Sequence, residues 1–134
     1  MSIKQVIVVR RKYFHADGTP FSLRAGKMIA QGAHASMAFL TRRLQKNRNL
    51  NFQDFTTTEQ AWIEGTFTKV TCQVDSEEAL QSLHEQAVAA GLESHLIIDS
   101  GKTEFNGVPT ATALAIGPDT AERIDPITRT LSLY

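Results

Sequence analysis

The run "IKQVIVVR" (3–10) constrains this chain more than any other stretch. It is nearly continuous in apolar, β-branched residues and does not alternate. A strand of that kind is buried on both faces, as the central strand of a sheet covered on both sides.

The elements that follow supply the cover. "RKYFHADGTPFSL" (11–23) contains Asp17-Gly18-Thr19-Pro20, a turn signal, and is expected as an exposed loop or loose hairpin. Residues 24 to about 46 read as a long helix. At 100° per residue, Ile29, Ala33, Ser36, Met37, Leu40 and Leu44 form one stripe, the expected core face. Lys27, Gln31 and His34 cluster nearly opposite, with Ala30 and Ala38 beside them. "NRNLNFQDFTTTEQAWIEG" (47–65) is polar and irregular. In it Thr57 and Gln60 are placed to cap a short helix carrying Trp62.

"TFTKVTCQV" (66–74) alternates, with Val70, Cys72 and Val74 on one side, so it reads as a half-buried strand. Ser76 caps the next helix, Glu77 and Glu78 suit its first turn, and Gly91 ends it. "SHLIID" (94–99) and "TATALAIG" (110–117) are further strands, separated by the Gly-rich turn region 100–109. Pro118 and Asp119 start a short helix, Asp125-Pro126 starts another turn, and "LSLY" (131–134) is a last short strand. The order strand, helix, strand, helix, strand, strand predicts one α/β layered domain over 1–134 on a mixed sheet.

Composition narrows the class. One cysteine, Cys72, allows no internal disulfide and fits a reducing compartment. No apolar run reaches membrane-spanning length, and the N-terminal stretch has no signal-peptide layout. Formal net charge is zero, but the charges are segregated: residues 1–48 hold ten Lys/Arg and one acid, and residues 49–134 hold four Lys/Arg and thirteen acids. That asymmetry points to a polyanion on the first third, and equally fits solvated helix faces.

Candidate chemistry concentrates at Asp99 and the turn after it, Ser100, Gly101, Lys102 and Thr103. Ligands of open α/β sheets gather at strand carboxyl ends. A carboxylate there, with a hydroxyl four residues on, suits holding a water or a ribose hydroxyl. It equally suits a turn whose Asp caps its own loop. There is no G-x-S-x-G elbow, no H-E-x-x-H motif and no phosphate-binding P-loop. His15, His34, His84 and His95 lack ligand spacing, so no metal is expected.

Taken together, "KQVIVVR" (4–10), "GKMIAQGAHAS" (26–36), "WIEGTFTKV" (62–70), "GLESHLIIDSGKTE" (91–104) and "TATALAIGPDTAERIDPITRTLSLY" (110–134) resemble the type 2 peptidyl-tRNA hydrolases, an archaeal and eukaryotic class with bacterial and phage relatives. The G-K-x-x-A-Q-x-x-H-A helix signature paired with the D-x-G-x-T-E turn is specific. The resemblance implies a three-layer α/β/α sandwich on a mixed sheet of four to five strands. It implies a cytoplasmic, cofactor-independent enzyme that cleaves the ester between a peptide and the terminal ribose of tRNA, in a family that often forms homodimers. Carried over by motif, Lys27, Asp99 and Thr103 are the expected catalytic residues, with Gln31, His34 and Ser100 orienting or binding substrate. Arg42, Arg43, Lys46 and Arg48, toward the end of the site helix, are the expected tRNA contacts.

Two departures stand out. The segment 11–25 is longer than the family's connection, and Lys12 stands near where the family has an aspartate. The family's D-A-G turn is D-S-G here, at Ser100. The alternatives are a tRNA- or nucleotide-binding relative without hydrolysis and a regulatory protein-interaction module on the same fold.

Overall fold

The computed structural model describes residues 2–102 and 104–134. The elements in chain order are β1 (Ile3–Arg10), a small hairpin of β2 (Tyr13–Phe14) and β3 (Pro20–Phe21), α1 (Ala25–Lys46), a 3-10 turn (Phe52–Asp54), α2 (Thr57–Glu64), β4 (Lys69–Val74), α3 (Glu77–Ala89), β5 (Ser94–Asp99), β6 (Thr110–Thr120), α4 (Ala121–Thr128) and β7 (Ser132–Leu133). Five strands form one sheet in the order β5-β6-β1-β4-β7. β1 and β4 are parallel, and the other pairs are antiparallel. The expected mixed sheet and helix-covered layers are therefore present.

β1 is central, and its side chains divide between two cores as the pleat requires. Val6 and Val8 point to the layer of α3 and α4, with Leu80, Leu83, Ala87 and Ile124. Ile7 and Val9 point to the α1 layer, with Met28 and Ala35. A third cluster of Phe39, Phe55 and Trp62 ties α2 to α1 on that same layer.

The sheet topology positions the site. β5 and β1 both run antiparallel to β6, so they point the same way, and β4 joins them. The carboxyl ends of β1, β4 and β5 therefore share one edge. α1 begins at that edge because it follows β1 after only the small hairpin.

Four expectations need correction. The first concerns the faces of α1. Its buried residues are Met28, Gln31, Ala35, Ala38 and Phe39, whereas Ile29 is 73% exposed and Met37 55%. The large apolar stripe faces outward. Small residues let the other face lie close to the sheet: a Cβ at Gly32 would already be 3.7 Å from Ile7. Polar partners complete that face. Gln5, fully buried in β1, donates through Nε2 to the Ser36 carbonyl and accepts from Ser36 Oγ.

The second correction is the α2 cap, which is Thr56 with Glu59, one residue earlier than Thr57 with Gln60. Thr56 Oγ1 accepts from Glu59 N while Glu59 accepts from Thr56 N. Third, β4 starts at Lys69, since Phe67 turns to φ 56°, outside strand geometry. Fourth, β6 runs on to Thr120, and a single helix capped by Thr120 continues through Pro126. The proline interrupts the ladder on an exposed side, where water can serve the freed Glu122 carbonyl.

Candidate active site

Asp99 closes β5, and its side chain is only 8% exposed. Its Oδ2 accepts from Lys27 Nζ at 2.7 Å and from Gln31 Nε2 at 3.0 Å. Its Oδ1 accepts from the Gly101 backbone N–H at 2.7 Å. Gln31, 3% exposed, is fixed in turn because its Oε1 accepts from Thr112 Oγ1 of β6 at 2.6 Å. An amide held at both ends has one orientation, so Gln31 presents its N–H to Asp99.

Helix periodicity builds this arrangement. Lys27 and Gln31 are one turn apart and share the face of α1 that meets β5 and β6. The polar residues expected nearly opposite the core stripe thus lie partly in the helix–sheet interface. His34, the third of them, is exposed, and no side-chain hydrogen bond joins it to the pair among the described residues. Ser100 is exposed beside Asp99. Thr103, the remaining expected catalytic residue, lies outside the described residues.

The Asp99 carboxyl is held below the usual carboxylate range. The hydrogen bond from Lys27 is the largest cause, assisted by Gly101 N–H and Gln31 and opposed by burial. Asp99 is therefore an anion at neutral pH. Gly101 holds the turn with φ +83°, and a Cβ there would fall 2.2 Å from the Val108 carbonyl oxygen, so only glycine fits. The pair offers one ammonium for a developing negative charge and one fixed carboxylate for a water or a hydroxyl. No group of three or more His, Cys, Asp or Glu side chains is arranged to hold a metal ion among the described residues.

Sequence reasoning did not name Thr112, whereas the Gly101 N–H bond is the loop cap that the sequence offered for Asp99. Thr112 is fully buried on β6, and its strand pattern carries no sign of a partner on another element. The four expected tRNA contacts divide. Arg43 binds Glu59 through both guanidinium nitrogens, at 2.9 and 2.6 Å, and also meets Glu93 at 3.2 Å. Arg42 donates to the Leu96 carbonyl at 3.1 Å and lies 3.0 Å from His95 Nδ1. Lys46 and Arg48 are exposed. At ~1.5 Å of rise per residue, Arg43 is about 24 Å along α1 from Lys27.

The family model described as peptidyl-tRNA hydrolase PTH2 matches residues 3–134. A peptidyl-tRNA hydrolase of Halobacterium salinarum is 37% identical over 135 residues, covering 98% of this chain and 100% of the relative. One of Methanocaldococcus jannaschii is 33% identical over 132 residues, covering 98% and 99%. A probable peptidyl-tRNA hydrolase 2 of Dictyostelium discoideum is 33% identical over 131 residues, 98% of this chain but 54% of that longer protein. The match is full length on both sides for the archaeal proteins, and the chain belongs to the peptidyl-tRNA hydrolase PTH2 family.

Proposed function

We propose that the Lys27–Asp99 pair carries ester cleavage in this peptidyl-tRNA hydrolase, acting on peptidyl-tRNA in the cytoplasm. The supporting observation is the Asp99 carboxylate, which accepts from Lys27, Gln31 and Gly101 at once. Hydrolysis needs a positioned water and positive charge where the carbonyl oxygen becomes an oxyanion. Lys27 supplies the charge and Asp99 orients the water. The depressed pKa of Asp99 favours orientation over proton storage, because an efficient general base titrates near the working pH. Thr103 is assigned by motif alone, as a hydroxyl for the water or the ribose, and His34 and Ser100 as substrate contacts at the rim.

Lys46 and Arg48 are the better candidates for tRNA phosphates, since Arg42 and Arg43 already have partners within the chain. The test is release of free tRNA from N-acetyl-aminoacyl-tRNA, with and without EDTA and over a salt series. We expect turnover that survives the chelator and a KM that rises steeply with salt as phosphate contacts are screened. Salt-dependent binding of tRNA without turnover would select the non-hydrolytic reading instead.

We also propose that a second copy covers the outward face of α1. Residues 28–41 carry no Lys, Arg, Asp or Glu. An apolar groove of about 1090 Å³ runs along that face, lined by Ile29, Met37, Leu44, Ile63, Phe67 and Tyr134 among others, on the far side of α1 from Asp99. A continuous exposed apolar patch of this kind is characteristic of interaction sites. A face whose α1 residues carry no charge to repel their own copy, with Lys69 as the charged residue in the groove lining, suits a two-fold dimer. Sedimentation velocity over a dilution series should find dimer, and Met37→Glu should give monomer with its fold intact. A wild type that sediments as monomer at every concentration would rule the dimer out.

A further inference from the structure

The hairpin between β1 and α1 has its inner face packed on the loop that follows Asp99. Phe105 is 8% exposed although its neighbours Asn106 and Gly107 are exposed. Its ring lies 5.1 Å from Tyr13 and 6.3 Å from Phe21, and those two are 5.6 Å apart. His15 stacks on Phe21 at 4.3 Å, and the Arg10 guanidinium lies 4.3 Å over the Tyr13 ring. One residue before Phe105, Glu104 pairs at 2.6 Å with Arg24, which precedes α1. Two adjacent loop residues are thus gripped by the segment between β1 and α1.

The loop itself closes back on the site. Gly107 N–H donates to the Gly101 carbonyl at 2.7 Å, and Val108 N–H donates to the Phe105 carbonyl at 2.9 Å. Gly101 N–H is the group that binds Asp99 Oδ1. A continuous chain of contacts therefore runs from the hairpin through Phe105, then Gly107 and Gly101, to the carboxylate. We propose that the hairpin is a brace for this loop, and that Tyr13, Phe21 and Phe105 are positioning residues for the reaction at Asp99, with Arg24 and Glu104 a weaker second tie.

The proposal rests on the role given to Asp99 above. It deepens that role by assigning work to residues whose side chains make no hydrogen bond to the carboxylate among the described residues. The aromatic rings carry the brace and the Tyr13 hydroxyl does not: that hydroxyl is buried without a hydrogen-bond partner among the described residues. Among the described residues, the charged and polar groups around the carboxylate are Lys27 and Gln31 from α1, Gly101 N–H from its own loop, and Tyr13 of the hairpin, which feels Arg10, Asp99 and Glu104 together. Loosening the loop removes the Gly101 N–H from this set. The carboxylate then loses one of the partners that favour its charged form, and its pKa rises.

The experiment compares Phe105→Ala, Arg24→Glu and the swap Arg24→Glu/Glu104→Arg with wild type. It reads kcat and KM on peptidyl-tRNA across pH, and amide hydrogen exchange at Gly101 and Gly107 in the free protein. Phe105→Ala should lower kcat by about tenfold, because small misplacements of a reacting group are costly. Its KM should stay within about twofold, since remote phosphate contacts are intact, and its acid limb should move to higher pH. Exchange at both glycines should quicken by about tenfold. Arg24→Glu should act in the same direction by only about threefold, because Arg24 is exposed and such pairs are weak. The swap should restore wild-type values.

Arg24→Glu, at the surface, stands in if Phe105→Ala does not fold. Unchanged exchange at Gly101 in a folded variant overturns the brace. Faster exchange with unchanged kcat and pH profile overturns the positioning role. If wild type releases no tRNA, the functional reading fails by itself, and the exchange data still decide whether the hairpin braces the loop.

Discussion

Asp99→Asn lowers kcat/KM by about 10²–10³-fold, the loss expected when a fixed electrostatic group is removed from an acyl-transfer site. The amide keeps the shape of the carboxylate and can still accept from Gly101 N–H. It no longer carries the charge that holds Lys27 at 2.7 Å. Lys27→Ala removes the ammonium itself and falls to a similar level. The two changes act on one unit, so the double variant is no slower than the slower single one. Effects that multiply in the double variant would mean that Lys27 and Asp99 work independently, and would sink the pairing. Asp99→Asn retaining more than half of wild-type activity would remove Asp99 from the reaction.

The pH profile adds a signed test. The folded pKa of Asp99 is depressed below its usual value of 3.8, chiefly by Lys27. A depressed carboxylate contributes stability that is present above the unfolded pKa and lost as pH falls through the folded one. Activity that depends on the ionised form follows the same direction. Wild-type kcat/KM therefore holds on the acid side until below the ordinary carboxylate range. In Lys27→Gln the largest cause of the depression is gone, and the residual activity begins to fall at higher pH. An acid limb that stays in place in Lys27→Gln would show that some other group sets it.

The legible parts of this chain were those where one element carries its own signal. The run 3–10 announced a strand buried on both faces, and β1 is the central strand with two separate cores. Ser76 and Gly91 marked the ends of α3 because caps are local. Asp99 stood out through its position at a strand end. What misled was the assumption that the more apolar side of α1 faces the core. Gln31 belongs inside because Thr112 and Asp99 satisfy it there, and no helical periodicity reports partners on β5 and β6. The cost of burying its amide is met by those two hydrogen bonds. Ile29 and Met37 were left outside by the same packing. The basic cluster held a pairing of its own: Arg43 reads as a surface charge until Glu59 folds back onto it from α2. The acid and base are 16 positions apart, beyond any local pattern.

Glu59→Ala is the substitution outside the site with the largest expected effect, about 3 kcal/mol of stability. Glu59 is 4% exposed at the side chain and makes four hydrogen bonds that hold α2 to its cap and to α1. Three of them end on its carboxylate: two from Arg43 and one from Thr56 N. Removing one partner of a buried, hydrogen-bonded pair typically costs ~3–5 kcal/mol because the other charge is stranded. Arg43 retains Glu93 at 3.2 Å and some solvent access, which places the expected value at the low end. For a chain of this size that loss lowers Tm by roughly 10 °C, readable by calorimetry or urea unfolding. Glu59→Gln keeps acceptor and shape and should lose about half as much. A Glu59→Ala protein that melts with wild type would mean the pair is solvated and adds nothing. The consequence reaches the RNA question. Arg43→Ala strands the more deeply buried partner, so any loss of tRNA affinity in that variant arrives together with lost stability and cannot be assigned to a missing phosphate contact. Lys46→Ala and Arg48→Ala carry no such burden, and a rise in KM there, at unchanged Tm, reads RNA binding directly.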